Sequence, residues 1–217
     1  MKIDKAGAPF IAGALVPAAV LAGARRYGWA AGFAALGAFF AYFFRDPERH
    51  VPMDEGLVVS PADGKVMFTG PADPHSSPPG PWTQVTIFLS PMDVHINRTP
   101  IEGRVRRIEY RAGTFLPAYK EEAGENELNE IWVDHAGRTV VFRQVVGLLA
   151  RRIVCRIHEG QTLARGERIG LMKFGSRMDV FLPVDAEMLV RPGEHVVAGE
   201  TVLARFREHA VTAVNAD

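Results

Sequence analysis

The sequence predicts a mainly β protein: a barrel-sandwich-like domain of short strands in two related halves, behind an N-terminal helical membrane hairpin. Three observations predict it. Apolar residues crowd the first fifty positions, where 7–44 carries Arg25 and Arg26 as its only charges. From Gly56 onward, β-branched and aromatic runs alternate with Gly, Pro, Asn, Asp and Ser, the composition of strands and turns. A ten-residue pattern with two well-placed glycines occurs twice. The expected division is an anchor over 1–50 and a soluble domain over 51–217.

The anchor comes first. Segments 7–24 and 27–44 flank Arg25-Arg26, and each is near the lower length limit for a helix that spans a bilayer. Tyr27, Trp29 and Tyr42 lie near the ends of the second segment, where amphipathic rings favour the membrane interface. The apolar region is too long, and doubled, for a cleaved signal peptide, and Phe43-Phe44-Arg45 is no small-residue cleavage site. The alternative is a helical hairpin buried in a soluble core. Lys2 and Lys5 before the hairpin, and Arg45, Arg49 and His50 after it, place both ends on the cytoplasmic side of the cell membrane. Arg25-Arg26 would then lie across the bilayer, unless the hairpin dips into one leaflet only.

The strands follow. Runs 57–59, 85–89, 130–133, 139–142 and 152–155 read as strands. Asp134-His135-Ala136-Gly137 reads as a hairpin turn. Residues 73–81 form a Pro-rich surface loop, and 113–129 is polar and irregular, a candidate mobile loop. The pattern Gly-x-x-φ-x-x-Gly-Glu-x-φ, with φ aliphatic, occurs at 160–169 and 193–202. It is similar to the tight turns of biotinyl and lipoyl carrier domains, and Ser60–Val66 resembles the opening strand of that fold.

Composition excludes several functions. The formal net charge is zero, so no basic field draws in nucleic acid. A single cysteine, Cys155, cannot form an internal disulfide or a cysteine-built metal site. No metal is expected.

Three features could carry chemistry. In Phe174-Gly175-Ser176 a serine hydroxyl follows a glycine, whose carbonyl is sterically open to attack. An isolated Gly-Ser pair is otherwise just a turn. His95, within Met92-Asp93-Val94-His95-Ile96-Asn97-Arg98, has the pKa range of a general base. Arg98 could meet a phosphate or carboxylate of a substrate, or a neighbouring acid. Asp63, in Pro61-Ala62-Asp63-Gly64, could orient a histidine if its turn points inward.

Together these features resemble the phosphatidylserine decarboxylase family in its short proenzyme form. Phe44-Arg45-Asp46-Pro47-Glu48-Arg49, Ser60–Gly64, Met92–Arg98 and Phe174-Gly175-Ser176 stand in the family's order behind an apolar N-terminus. The long bacterial forms have Leu-Gly-Ser-Thr at the processing site and a second histidine where Arg98 stands. The resemblance implies self-cleavage between Gly175 and Ser176, with His95 as base and Asp63 behind it. It implies a β chain of 1–175 and an α chain of 176–217 that stay together as a heterodimer; any higher oligomer is left open. The serine would become a covalent pyruvoyl group that forms a Schiff base with phosphatidylserine. Two other readings remain: the same chemistry on an ether lipid with a serine head group, and a tethered carrier domain using Lys173 in Leu171-Met172-Lys173. A serine hydrolase using Ser176 would lack the usual Gly-x-Ser-x-Gly elbow.

Overall fold

The structure, a computed structural model, describes residues 2–114, 116, 126–147, 152–173 and 176–207. Most of the irregular stretch 113–129 therefore lies outside the described residues, as do Phe174 and Gly175.

Helices α1 (Ala8–Gly23) and α2 (Tyr27–Phe43) form the N-terminal hairpin. Small residues let them approach closely. Ala14, Ala18, Ala30 and Gly37 are buried between them, and a Cβ on Gly37 would come within 2.6 Å of Leu15 Cδ2. The outward side chains are apolar and bare: Val16, Val20 and Trp29 are 62%, 66% and 72% exposed. A hairpin packed in a soluble core would have covered them, so that alternative is set aside. The stretch Lys5–Gly23 is long and apolar enough to cross a membrane by length and composition.

The hairpin's two ends return to one place. Lys2–Ile3 pairs antiparallel with Arg45–Asp46, and Arg156 grips Asp4 through two 2.6 Å bonds. Phe43 and Phe44 pack with Val94, Ile96 and Leu171. The hairpin is thus bolted to the β domain at the strand that follows His95.

The rest is mainly β. An eight-stranded antiparallel sheet has the spatial order Thr162–Leu163, Gly103–Arg111, Leu128–His135, Arg138–Val146, Ser176–Pro183, Trp82–Leu89, Gly64–Pro71, His195–Val196. Two three-stranded sheets complete the domain. One orders Ile153–Cys155, Arg168–Met172 and Ile96–Arg98; the other orders Ala186–Met188, Val202–Phe206 and Leu57–Val59. Their inner faces enclose one apolar core that includes Val58, Ile87, Phe142, Ile169, Met178 and Leu203. Each fully buried aliphatic side chain there contributes about 1.5–3 kcal/mol. The expected turn at Asp134–Gly137 is present, with Ala136 and Gly137 at φ 47° and 77°, the two positive angles of a twist-matched hairpin turn.

The two halves are related by an approximate twofold through the middle of the large sheet. The repeated ten-residue units supply its two edge strands, Thr162–Leu163 and His195–Val196. Gly160 N–H donates to Val105 O and Gly193 N–H to Val66 O, at 2.7 and 2.8 Å. The relation reaches further than the repeat seen in the sequence. Thr99-Pro100-Ile101-Glu102-Gly103-Arg104-Val105 is a second copy of Ser60-Pro61-Ala62-Asp63-Gly64-Lys65-Val66. In both, the hydroxyl donates to the carbonyl two residues on, at 2.6 Å.

Candidate active site

Ser176 opens the central strand Ser176–Pro183, facing Leu89 on one side and Val146 on the other. Side chains alternate along a strand, so Ser176 shares a face with Met178, Val180 and Leu182, all in the core. The residue is wholly buried. Its Oγ has no hydrogen-bond partner among the described residues, and leaving a buried hydroxyl in that state costs about 1–3 kcal/mol.

His95 reaches the same end of the sheet by a short path. Strand Trp82–Leu89 ends opposite Ser176, and a turn closed by Ser90 N–H to Asp93 Oδ2 at 2.7 Å carries the chain to His95. From the other side, Met172 N–H donates to His95 O at 3.3 Å, just before the Gly175-Ser176 link. The ring is 1% exposed and lies 4.2 Å, centroid to centroid, from Phe43 at the foot of α2. Burial holds its pKa down at about 4, against weaker raising effects of the Asp93 carbonyl and carboxylate. His95 Nδ1 is 2.9 Å from Asp93 O. A carbonyl only accepts, so Nδ1 carries the proton and Nε2 is the basic nitrogen.

Asp63 accepts its bonds from Arg49 and from the backbone. Its carboxylate takes two bonds from Arg49 Nη2, at 2.9 and 2.7 Å, and one from Ala198 N–H at 2.8 Å. Burial nevertheless pushes its pKa up, against the Ala198 N–H and Arg49. The Asp63 turn is tied to the histidine's strand through the backbone: Arg98 N–H donates to Pro61 O at 2.9 Å.

Of the two tasks the sequence leaves open to Arg98, the structure shows the neighbouring acid, with two backbone carbonyls besides. It is 5% exposed. Its guanidinium donates to Gly166 O at 2.8 Å and Pro47 O at 3.0 Å, and sits 3.7 Å from Asp46. It braces the segment after the hairpin and is spent on protein groups.

Two residues near the site have no part in the self-cleaving reading of the sequence. Lys173 points its ammonium at the Phe10 ring of α1, 5.1 Å away, and its pKa is lowered by burial and by Arg152. Asn97 is wholly buried and bonded to Gln144, on a strand that neighbours the serine's. Lys173 was legible only as part of a carrier-type turn. That reading fails on burial, because Leu171 and Met172 are fully enclosed in strand Arg168–Met172 and form no exposed hairpin tip.

The donor set suits a pyruvoyl group made from the serine itself. The unpartnered Ser176 Oγ lies in an apolar interior that would shield a reactive ketone from water. Among the described residues no cluster of metal-ligating side chains occurs.

Comparison with known proteins fits this geometry. The family described as phosphatidylserine decarboxylase matches over residues 36–204. A phosphatidylserine decarboxylase proenzyme from Symbiobacterium thermophilum is 49% identical over 206 residues, 94% of this chain and 95% of the relative. Another of that name, from Chlorobium phaeobacteroides, is 44% identical over 178 residues, 82% of this chain and 84% of the relative. The class is therefore a decarboxylase carried behind an apolar hairpin. The chain belongs to the phosphatidylserine decarboxylase family.

Proposed function

We propose that the chain cuts itself between Gly175 and Ser176 and then converts phosphatidylserine to phosphatidylethanolamine and CO2. The observation that carries this reading is the buried Oγ of Ser176 at the head of the central strand, without a hydrogen-bond partner among the described residues. A structural serine in that position would be expected to spend its hydroxyl on a neighbour.

In the first stage Ser176 Oγ adds to the carbonyl carbon bonded to its own nitrogen. His95 Nε2 takes the hydroxyl proton and returns it to the nitrogen as the C–N bond breaks, leaving an ester. Loss of the Cα proton then breaks the Cβ–Oγ bond. The upstream chain leaves with a carboxylate at Gly175, and water releases ammonia from the residue left at 176. Asp63 serves as a positioning residue, fixing the strand that carries His95 through Pro61 and Arg98. Residues 1–175 and 176–217 remain paired as β and α chains, since the Ser176–Pro183 strand lies between two strands of the upstream part.

The resulting pyruvoyl ketone supplies the electron sink that amino-acid decarboxylation needs. Around it the chain's own residues bind and exclude water. The hairpin foot brings Phe43 to His95 and Phe10 to Lys173, so the site sits where the anchor meets the domain. A lipid head group would arrive there with Lys173 and Arg152 near its phosphate. Basic residues at the hairpin base, Lys2, Lys5, Arg45 and Arg49, support the cytoplasmic side of the membrane.

Intact mass of the purified protein tests the reading. The expected result is two chains divided after Gly175, with the smaller one blocked at its N-terminus, and a full-length chain for Ser176→Ala. An active wild-type protein made of one uncut chain would overturn it.

A further inference from the structure

A second buried polar atom near Ser176 lacks a partner among the described residues. Asn97 Oδ1 accepts from Gln144 Nε2 at 2.9 Å, and Gln144 Oε1 accepts from Asn129 Nδ2 at 3.1 Å. This amide chain ends at Asn97 Nδ2, a donor with no acceptor among the described residues. All three residues are at most 3% exposed, so water does not reach the orphan N–H from outside.

Strand geometry says where this donor lies. Ile96 packs towards the hairpin with Phe43 and Leu171, and Arg98 braces Pro47 on that side. Alternation turns Asn97 the other way, into the barrel. Gln144, which holds it, lies directly across from Met178, on the face that Met178 shares with Ser176. Diagonal neighbours on one sheet face are about 7–8 Å apart, within reach of a side chain. A donor and a hydroxyl, both without partners among the described residues, thus share one dry interior.

We propose that Asn97 Nδ2–H is the oxyanion donor for self-cleavage, stabilising the negative charge that develops on the carbonyl oxygen when Ser176 Oγ adds to it. The proposal rests on the self-cleavage reading above. As Oγ bonds to the carbonyl carbon, the C=O π electrons move to oxygen and the hydroxyl proton moves to His95. A fixed donor in a site without water favours that state over the planar amide. Gln144 is a positioning residue, because its amide fixes the rotamer from which Asn97 donates. Asn129 in turn fixes Gln144.

The test is pulse-labelled synthesis of the full chain with phospholipid vesicles, followed by a denaturing gel that times the appearance of the small chain. Asn97→Ala is expected to slow the cut roughly 10²–10³-fold, the usual effect of removing one oxyanion donor. Added hydroxylamine, which cleaves esters, is expected to leave that rate unchanged, because the defect precedes ester formation. Gln144→Glu keeps the acceptor for Asn129 but loses the donor to Asn97, and is expected to slow the cut about tenfold. It also serves if Asn97→Ala proves protease-sensitive and so misfolded. Asn97→Ala cut at the wild-type rate, or cut fully once hydroxylamine is added, overturns the assignment while leaving self-cleavage in place. Wild-type chain that never cuts overturns both.

Discussion

The two halves of the β domain share a turn and differ in what surrounds it. In one, Asp63 is held by Arg49 and the Ala198 N–H. In the other, the corresponding Glu102 is held by Arg165 in a two-pronged pair at 2.6 and 2.8 Å. The strand before each turn differs more. Leu57–Val59 follows Gly56 at an open surface pocket of about 360 Å³, whereas Ile96–Arg98 follows His95 under Phe43. A duplicated scaffold supplied two equivalent acid-bearing turns. The residues proposed to react lie at the end of the sheet where the hairpin docks.

The equivalence can be broken at its tightest point. Gly64 and Gly103 have φ of 156° and 149°, and a Cβ on either would come 2.2 Å from Phe88 O or 2.3 Å from Asp134 O. The obstacle is backbone, which cannot step aside. Gly64→Ala and Gly103→Ala are each expected to cost about 4 kcal/mol or more, at the top of the range for single substitutions. Chemical denaturation of the Ser176→Ala chain measures this without interference from the cut. A small loss at one position with a large loss at the other would show that the halves are not mechanically alike.

The next effect belongs to one half only. His95 has a pKa lowered from 6.5 to about 4, so between those values the unfolded chain binds a proton that the folded chain refuses. Stability therefore falls as pH drops from 6.5 towards 4, by about 3 kcal/mol in all. His95→Gln is expected to flatten that slope in a pH series of melting curves. The same depression predicts that the self-cleavage rate holds its neutral value until pH approaches 4, because Nε2 stays unprotonated. A limb near pH 6.5 would place the base elsewhere.

Much of this was legible in the sequence, and the exceptions have physical causes. The apolar hairpin, the β domain, the tight turn at Ala136-Gly137 and the paired edge strands all follow from local composition and glycine spacing. The second copy, Thr99–Val105, hid behind conservative exchanges: Thr for Ser, Glu for Asp and Arg for Lys keep the physics while changing the letters. Ser176 and His95 could be nominated from their motifs, yet their shared end of the sheet depends on register across Leu89 and Val146, which sequence does not state. Whether the Asp63 turn points towards a histidine depends on tertiary placement that its local sequence does not state. Arg49, distant in composition from any site motif, claims that carboxylate. Arg98 could be read as the partner of a substrate anion or of a neighbouring acid, and its burial against Pro47 and Gly166, beside Asp46, was invisible. Asn97 gave no chemical signal of its own, since an amide N–H without an acceptor among the described residues is a property of the fold.

The smallest effect bears on Asp63 itself and sharpens the comparison most. If Asp63 acts only by holding the strand of His95 and Asn97 in register, its loss should slow the cut about tenfold, near 1.4 kcal/mol of barrier. A carboxylate bonded to the base directly would matter far more, about 10⁴-fold in the hydrolase triads where that geometry occurs. Glu102 occupies the same turn in the other half, away from Ser176. Glu102→Gln is expected to leave the cut at its wild-type rate and to cost about 1 kcal/mol or less of stability, as for a partly exposed ion pair. Timing the cut in Asp63→Asn and Glu102→Gln side by side therefore separates three cases. Equal slow rates would mean that the turns matter only for folding. A collapse in Asp63→Asn alone would mean that its carboxylate reaches the base during the reaction. The expected tenfold difference leaves His95 oriented by the Asp93 carbonyl, with Asp63 setting the strand from which it works.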